Sequence, residues 1–235
     1  IESITILYDS LYAEQIDEWL VFEIGADTVF NYTCAPYFGD CGDLVSHDGY
    51  DYSTVLIGEQ CWFSENCRYL PEVSPSSEGS ETEPHYYVQG FEGTNVIAAQ
   101  STSNYETYGV LYNWPSLMTV GICPSGWHIP SDGEFTQLID YLGGESVAGY
   151  AMKSTSGWNG TNGSNSSGFT GLPGGGRNLY GFMNYWGDNG FWWSASEFGS
   201  YPNGFLLGDD PDGIVILYRE HYDRDYGLSA RCVRD

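Results

Sequence analysis

Cysteine is the residue type with the most definite chemistry in this chain. Six occur, at Cys34, Cys41, Cys61, Cys67, Cys123 and Cys232, and no two form a Cys-x-x-Cys pair. A structural zinc site draws on closely spaced ligand pairs, so the spacing argues against one. An even number of scattered cysteines fits disulfides in an oxidising, extracellular compartment. Spacing alone leaves their connectivity open.

Carboxylates come next. Gly208-Asp209-Asp210-Pro211-Asp212-Gly213 lies between two hydrophobic stretches and presents three of them. Asp209, Asp210 and Asp212 are therefore candidate ligands for Ca²⁺, which takes hard oxygen donors. An acidic β-turn explains the same residues, with Pro and Gly serving the turn. No other cofactor is indicated.

His128 has the residue type for general-base work. Yet no nucleophile and orienting carboxylate match it by spacing, and its neighbours Trp127 and Ile129 indicate packing. His47, His85 and His221 sit in unrelated contexts, and the acids offer no assignable general-acid pair. No catalytic residue is assigned.

Aromatics crowd the last quarter. Tyr180, Tyr185, Trp186, Tyr218, Tyr222 and Tyr226 are candidate ligand-binding residues, since such rings stack on sugars and fill protein interfaces. In Trp192-Trp193, strand alternation places one ring inside. Asp9-Ser10-Leu11 and Asp27-Thr28-Val29 resemble a bacterial O-glycosylation acceptor, which makes Ser10 and Thr28 candidate glycan carriers. Asn31, Asn159, Asn162 and Asn165 stand in Asn-x-Ser/Thr patterns.

These side chains must be held by many short elements. With 31 Gly, 10 Pro and 17% aromatic residues, the chain reads as strands and tight turns rather than a helix bundle or a disordered acidic tail. One helix is well marked: Ser131 and Glu134 make a capping box, and Phe135, Leu138, Ile139 and Leu142 follow at helical spacing up to Gly143-Gly144. Residues 50–57 and 61–63 predict a hairpin with a Gly-containing turn. Residues 71–104 read as a long excursion, and 108–118 as a short helix stopped near Pro115. Strands are expected at 191–195, 205–207, 214–218 and 228–233.

Before about residue 45 the chain is β-rich, at 4–8, 19–24 and 29–32, and too short to bury a core of its own. This extension must dock on the rest of the chain or on another copy. Donor-strand pairing between copies does not close, so it would build a filament, a homo-polymer. Its acidic residues, among them Glu14, Asp17 and Glu18, oppose such pairing unless cations or glycans intervene.

Charge limits the partners. Lys and Arg number 7 against 32 Asp and Glu, leaving −25. That balance excludes nucleic acid and anionic membranes, whose binding needs a basic footprint. No apolar run is long enough for a membrane span. Lys153, the one lysine, fits a surface that avoids long cationic side chains. The chain opens on Ile1 without Met, as expected after removal of a leader.

A series of motifs follows in order. It runs through Gly49-Tyr50-Asp51-Tyr52, Ile57-Gly58-Glu59-Gln60-Cys61-Trp62-Phe63, Tyr108-Gly109-Val110-Leu111-Tyr112-Asn113-Trp114 and Cys123-Pro124-Ser125-Gly126-Trp127-His128. It continues with Lys153-Ser154-Thr155-Ser156-Gly157-Trp158, Leu172-Pro173-Gly174-Gly175-Gly176-Arg177, Trp192-Trp193-Ser194-Ala195-Ser196 and Ala230-Arg231-Cys232-Val233-Arg234-Asp235. Over about 45–235 this resembles the Fibrobacter-type major paralogous domain (FISUMP), a family of secreted bacterial proteins.

The resemblance implies an α+β, C-type-lectin-like domain over 45–235. It would have a small antiparallel sheet, one or two helices and long loops, with residues 1–44 as a β-rich extension. It also implies a Cys123–Cys232 bridge tying the last strand to the body and a Cys41–Cys61 bridge at the first hairpin. Cys34 and Cys67 are then left for a third bridge. The function expected is that of a non-catalytic structural or binding protein, extracellular or on the cell surface. A lectin-like adhesin for glycan or protein is the alternative, although the Glu-Pro-Asn and Trp-Asn-Asp signatures of calcium-dependent lectins are absent. An oxidase like the distantly related formylglycine-generating enzymes is the rival class; it needs two nearby cysteines late in the chain, and only Cys232 follows Cys123.

Overall fold

The computed structural model describes residues 20–23, 29–32, 40–119, 121–210 and 212–235. The chain divides into two compact units, 1–39 and 40–235. In the first, β1 (Leu20–Glu23) pairs antiparallel with β2 (Val29–Tyr32). Ser10, Thr28, Cys34 and the strand expected at 4–8 lie outside the described residues. The expected self-assembly rests on this same segment.

The large unit is α+β. It starts a few residues before the expected boundary, and Cys41 ties that start to Cys61. Two hairpins open it. β3 (Val45–His47) turns through Asp48-Gly49 into β4 (Tyr50–Tyr52), and β5 (Thr54–Ile57) through Gly58-Glu59 into β6 (Gln60–Phe63). The second is the hairpin that the sequence predicts.

The expected excursion and helix resolve into smaller pieces. β7 (Tyr86–Tyr87) is followed by α1 (Val96–Gln100), α2 (Ser103–Tyr108), β8 (Leu111–Tyr112) and α3 (Trp114–Leu117). Each of these helices starts at a polar cap: Asn95, Thr102 and Asn113 accept from the backbone N–H of Ala98, Tyr105 and Ser116. Pro115 does not stop a helix at 108–118. It sits in the first turn of α3, where no backbone donor is needed.

After β9 (Trp127–His128) comes α4 (Asp132–Tyr141), with the predicted capping box fully formed between Ser131 and Glu134. α5 (Glu145–Met152) follows at once. Five helices are thus present among the described residues, more than the one or two expected, because three are single-turn elements fixed by caps rather than by periodicity. No described helix is long and apolar enough to cross a membrane.

The rest is mainly sheet. β10 (Gly176–Arg177) pairs with β11 (Met183–Asn184). β12 (Gly190–Phe198), β13 (Tyr201–Asp209) and β14 (Val215–His221) form an antiparallel meander. β15 (Leu228–Ser229) runs parallel to β12 and joins it to β8 and β7, giving the order β14-β13-β12-β15-β8-β7. β16 (Val233–Arg234) belongs to a second sheet, ordered β5-β6-β16-β9. The strand expected over 228–233 is therefore split, and the chain crosses between sheets at Ala230-Arg231-Cys232.

Both faces of the central strand β12 are covered, so Trp192 and Trp193 are both buried, at 1% and 0% exposure. Alternation still operates: Trp192 packs with Phe205, Leu207 and Phe135, and Trp193 with Trp114, Tyr112 and Phe63. The expectation of one inner ring assumed a sheet with a wet face.

Four of the seven cations are buried: Arg68, Lys153, Arg177 and Arg231. Lys153 is thus no surface residue. It donates to Thr161 O and Asp209 and lies over the Trp158 ring. Arg231 spans Asn66 Oδ1 and the carbonyls of Phe169 and Thr170, with its guanidinium 3.9 Å from the Phe169 ring centre. These cations fasten loops that have no ladder of their own.

Candidate ligand-binding site

The meander β12–β13–β14 builds the site by register. Phe191, Leu206 and Tyr218 stand opposite one another on one face, and Gly204 stands opposite Glu220. Gly204 is required there. A Cβ at this position would lie 2.8 Å from the ring of Tyr222, which crosses the strand. The missing side chain lets Tyr222 pack between Phe191 and Trp193, with ring centres 6.2 and 5.7 Å away.

The β10–β11 hairpin supplies the opposite wall. Asn178 Oδ1 accepts from the N–H groups of Tyr180 and Phe182, folding the turn that leaves both rings exposed. Tyr185 follows at φ 60, the left-handed region that a bulky residue rarely adopts. Such outliers collect at functional sites. Its ring lies 5.9 Å from Phe191, and the Tyr222 and Tyr226 rings are 5.3 Å apart.

Between these walls lies a pocket of about 300 Å³. Tyr185, Phe191, Tyr222 and Tyr226 give it aromatic surface; Asn178, Asn184, Asn189 and Glu220 give it polar groups. Arg177 also lines it, but its charge is committed: it donates to Ser76 O, Asp225 O and the Asp225 carboxylate. The Tyr222 hydroxyl is buried in the wall without a protein partner. Burial, then the negative charge of Glu220, push this phenol well above its ordinary range. Burial also raises Tyr226, with Asp223 adding to it. Both remain neutral donors at physiological pH.

Of the six expected aromatics, the structure brings together Tyr185, Tyr222 and Tyr226. Tyr218 shares the same sheet face one strand further out. Tyr180 and Trp186 are exposed on the neighbouring loop and do not line the pocket. The asparagines and Glu220 were missed by sequence reasoning. Glu220 alone carried a signal, standing two residues from Tyr218 and hence on the same strand face.

The other candidates fare differently. The three carboxylates of 209–212 do not converge on a cation. Asp209 is taken by Lys153 and by the Thr161 N–H, while Asp210 accepts from the N–H groups of Asp212 and Ile214. The segment is a turn closed by its own acids, and Lys153 supplies the positive charge a Ca²⁺ would have brought.

The four histidines are apart, bonded to Gly121 O, Ser74, Asn203 and, for His128, to Glu134 and Asp235. Cys41–Cys61 and Cys123–Cys232 are bonded. Cys67 is a fully buried free thiol, and Cys34, its expected partner in a third bridge, lies outside the described residues.

A family model described as the Fibrobacter succinogenes major domain matches residues 55–234. No curated protein and no solved structure matches the chain.

Proposed function

The chain belongs to the Fibrobacter succinogenes major domain family, and we propose that it is a non-catalytic, extracellular binding protein that holds a saccharide in the pocket between the meander and the β10–β11 hairpin. The observation that carries this reading is the pocket's composition. Its size suits one small ligand unit, tyrosine faces offer stacking surface, and amides and phenols offer the paired donors and acceptors that ring hydroxyls need. Glu220 and the net charge of −25 favour neutral or amino sugars over acidic ones.

Binding without turnover fits the lining. Glu220 is the one carboxylate among the lining residues, whereas glycoside hydrolysis ordinarily needs two. No histidine or cysteine lines it either. We read the loop-rich large unit as C-type-lectin-like and its two disulfides as suited to an oxidising exterior. Since Asp209 is bonded to Lys153, recognition should be independent of calcium.

A glycan array with and without Ca²⁺, followed by calorimetry on the hits, tests the reading. Neutral or amino sugars should bind equally in both conditions, remain uncleaved, and lose about tenfold or more in affinity in Tyr185→Ala through lost stacking. A flat array, or hits that ignore Tyr185→Ala, would remove the proposal.

A further inference from the structure

Three sulfurs meet in the core. The free thiol of Cys67 lies 3.4 Å from Cys232 Sγ, which is bonded to Cys123, and all three sulfurs lie within 4.8 Å of one another. Backbone bonds hold them there: Cys67 N–H donates to Ala230 O at 2.9 Å, and Phe63 N–H to Cys232 O at 3.0 Å. Cys67 and Cys232 are sealed from solvent, whereas Cys123 is partly exposed.

We propose that Cys67, Cys123 and Cys232 form one exchangeable site. Cys67 takes over the bond to Cys232, and Cys123 is released as the attachment point for a second molecule that carries a disulfide. In the first step a transient local opening of the core lets hydroxide take the Cys67 proton, giving water, and the thiolate attacks Cys232 Sγ. The Cys67–Cys232 bond forms, the Cys232–Cys123 bond breaks, and the electron pair leaves on Cys123, which takes up a proton. One thiol and one disulfide stand on each side, so no oxidant is consumed. In the second step the Cys123 thiolate attacks the incoming disulfide, forms a mixed disulfide and releases the other half as thiolate.

The attacked sulfur follows from geometry, since the closest approach of Cys67 is to Cys232. The consequence follows from burial. Exchange moves the reactive group from a sealed position to one that solvent reaches. Burial pushes the Cys67 thiol up to about 12, although Arg231 pulls it back. Thiolate is therefore scarce at neutral pH, and the site is latent there. Contact within one molecule partly offsets that scarcity.

The test is alkylation of the full chain with iodoacetamide at about pH 7, 8 and 9, then peptide mapping without reduction. Label should appear on Cys123 together with a Cys67–Cys232 cross-linked peptide, at a rate rising about tenfold per pH unit. With cystamine in place of iodoacetamide, the mixed disulfide should form at Cys123. Cys67→Ala and Cys67→Ser, each checked for folding by circular dichroism, should leave Cys123 unlabelled at every pH. Cys34 is read on its own peptide. The proposal is overturned if Cys123 stays unlabelled in the unaltered protein after a day at the highest pH. It is also overturned if label reaches Cys67 with Cys123–Cys232 intact, or if either variant that folds labels Cys123 as fast.

Discussion

The meander β12–β13–β14 has two faces, and they have been put to different uses. On one, Trp192, Phe205, Leu207 and Leu217 meet α4 and α5, with Phe205 stacked on Phe135 at 4.3 Å. Gly149 of α5 lets the helix come close; a Cβ there would lie 3.0 Å from Val215. On the other face, Phe191, Leu206 and Glu220 line the pocket with the small β10–β11 hairpin and loops, and Tyr218 is exposed. Helices satisfy their own backbone groups, so they can seal a sheet with side chains alone. Loops cannot. They need asparagine caps and the Arg177 clamp, and polar scaffolding of that kind packs less completely than aliphatic side chains. The pocket lies on the face where the cover is made of loops.

The largest expected effect lies on the closed face. Phe205→Ala should cost about 3–5 kcal/mol, as other deletions of a well-packed buried ring do. Tyr185→Ala, exposed on the open face, should cost less than about 1 kcal/mol. Urea denaturation of both variants checks the contrast. Equal losses would mean that the open face is as tightly built as the closed one, and the comparison would break.

A smaller effect of opposite sign sharpens it. The Tyr222 hydroxyl is buried without a protein partner, and such a group costs about 1–3 kcal/mol. Tyr222→Phe removes the oxygen and keeps the ring between Phe191 and Trp193. The unliganded protein should therefore gain about 1 kcal/mol, a rise in Tm of about 2–4 °C. Sites that hold an unspent polar group for a ligand give up stability in this way. A fall in Tm would show that the hydroxyl already has a partner.

What the sequence made legible was local. α4 carries its cap, its periodicity and its stop within one short stretch, and the β5–β6 hairpin carries its turn. For Trp192-Trp193 only one inner ring was expected, because the cover over the second face comes from residues distant in the chain, such as Tyr112 and Trp114 around Trp193. Asn113 falls inside the helix expected over 108–118 and is instead a capping hub. It caps α3 and also donates to the carbonyls of Ser80 and Glu83, which lie in the supposed excursion. The site was half legible: its tyrosines stand out by type, but Asn178, Asn184 and Asn189 could as well have been turn residues. The Lys153–Asp209 pair, 56 positions apart, left no local trace, so its acid read as a metal ligand.

The smallest effect concerns the seam at the helix that closes the sheet. His128 in β9 bonds through Nε2 to Glu134 at 2.7 Å and through Nδ1 to Asp235 at 2.5 Å, and Glu134 also closes the α4 capping box. Partial burial alone would lower the imidazole, but the bonds to Asp235 and Glu134 outweigh it and raise the value above 6.5. Burial alone would raise Glu134, but its bonds to Ser131 and the neighbouring His128 bring it below 4.5. The histidine's contribution is complete below its unfolded value of 6.5 and is lost as pH rises through the higher folded value. The glutamate's is complete above 4.5 and is lost as pH falls through the lower folded value. Both are therefore fully present between 4.5 and 6.5. The difference in Tm between the unaltered protein and His128→Ala should be greatest in that window and shrink on either side. Because His128 is partly exposed, the effect should also weaken in high salt, unlike that of Phe205→Ala. A difference that is flat with pH would leave His128 a packing residue, and the closed face would then owe nothing to charge at this seam.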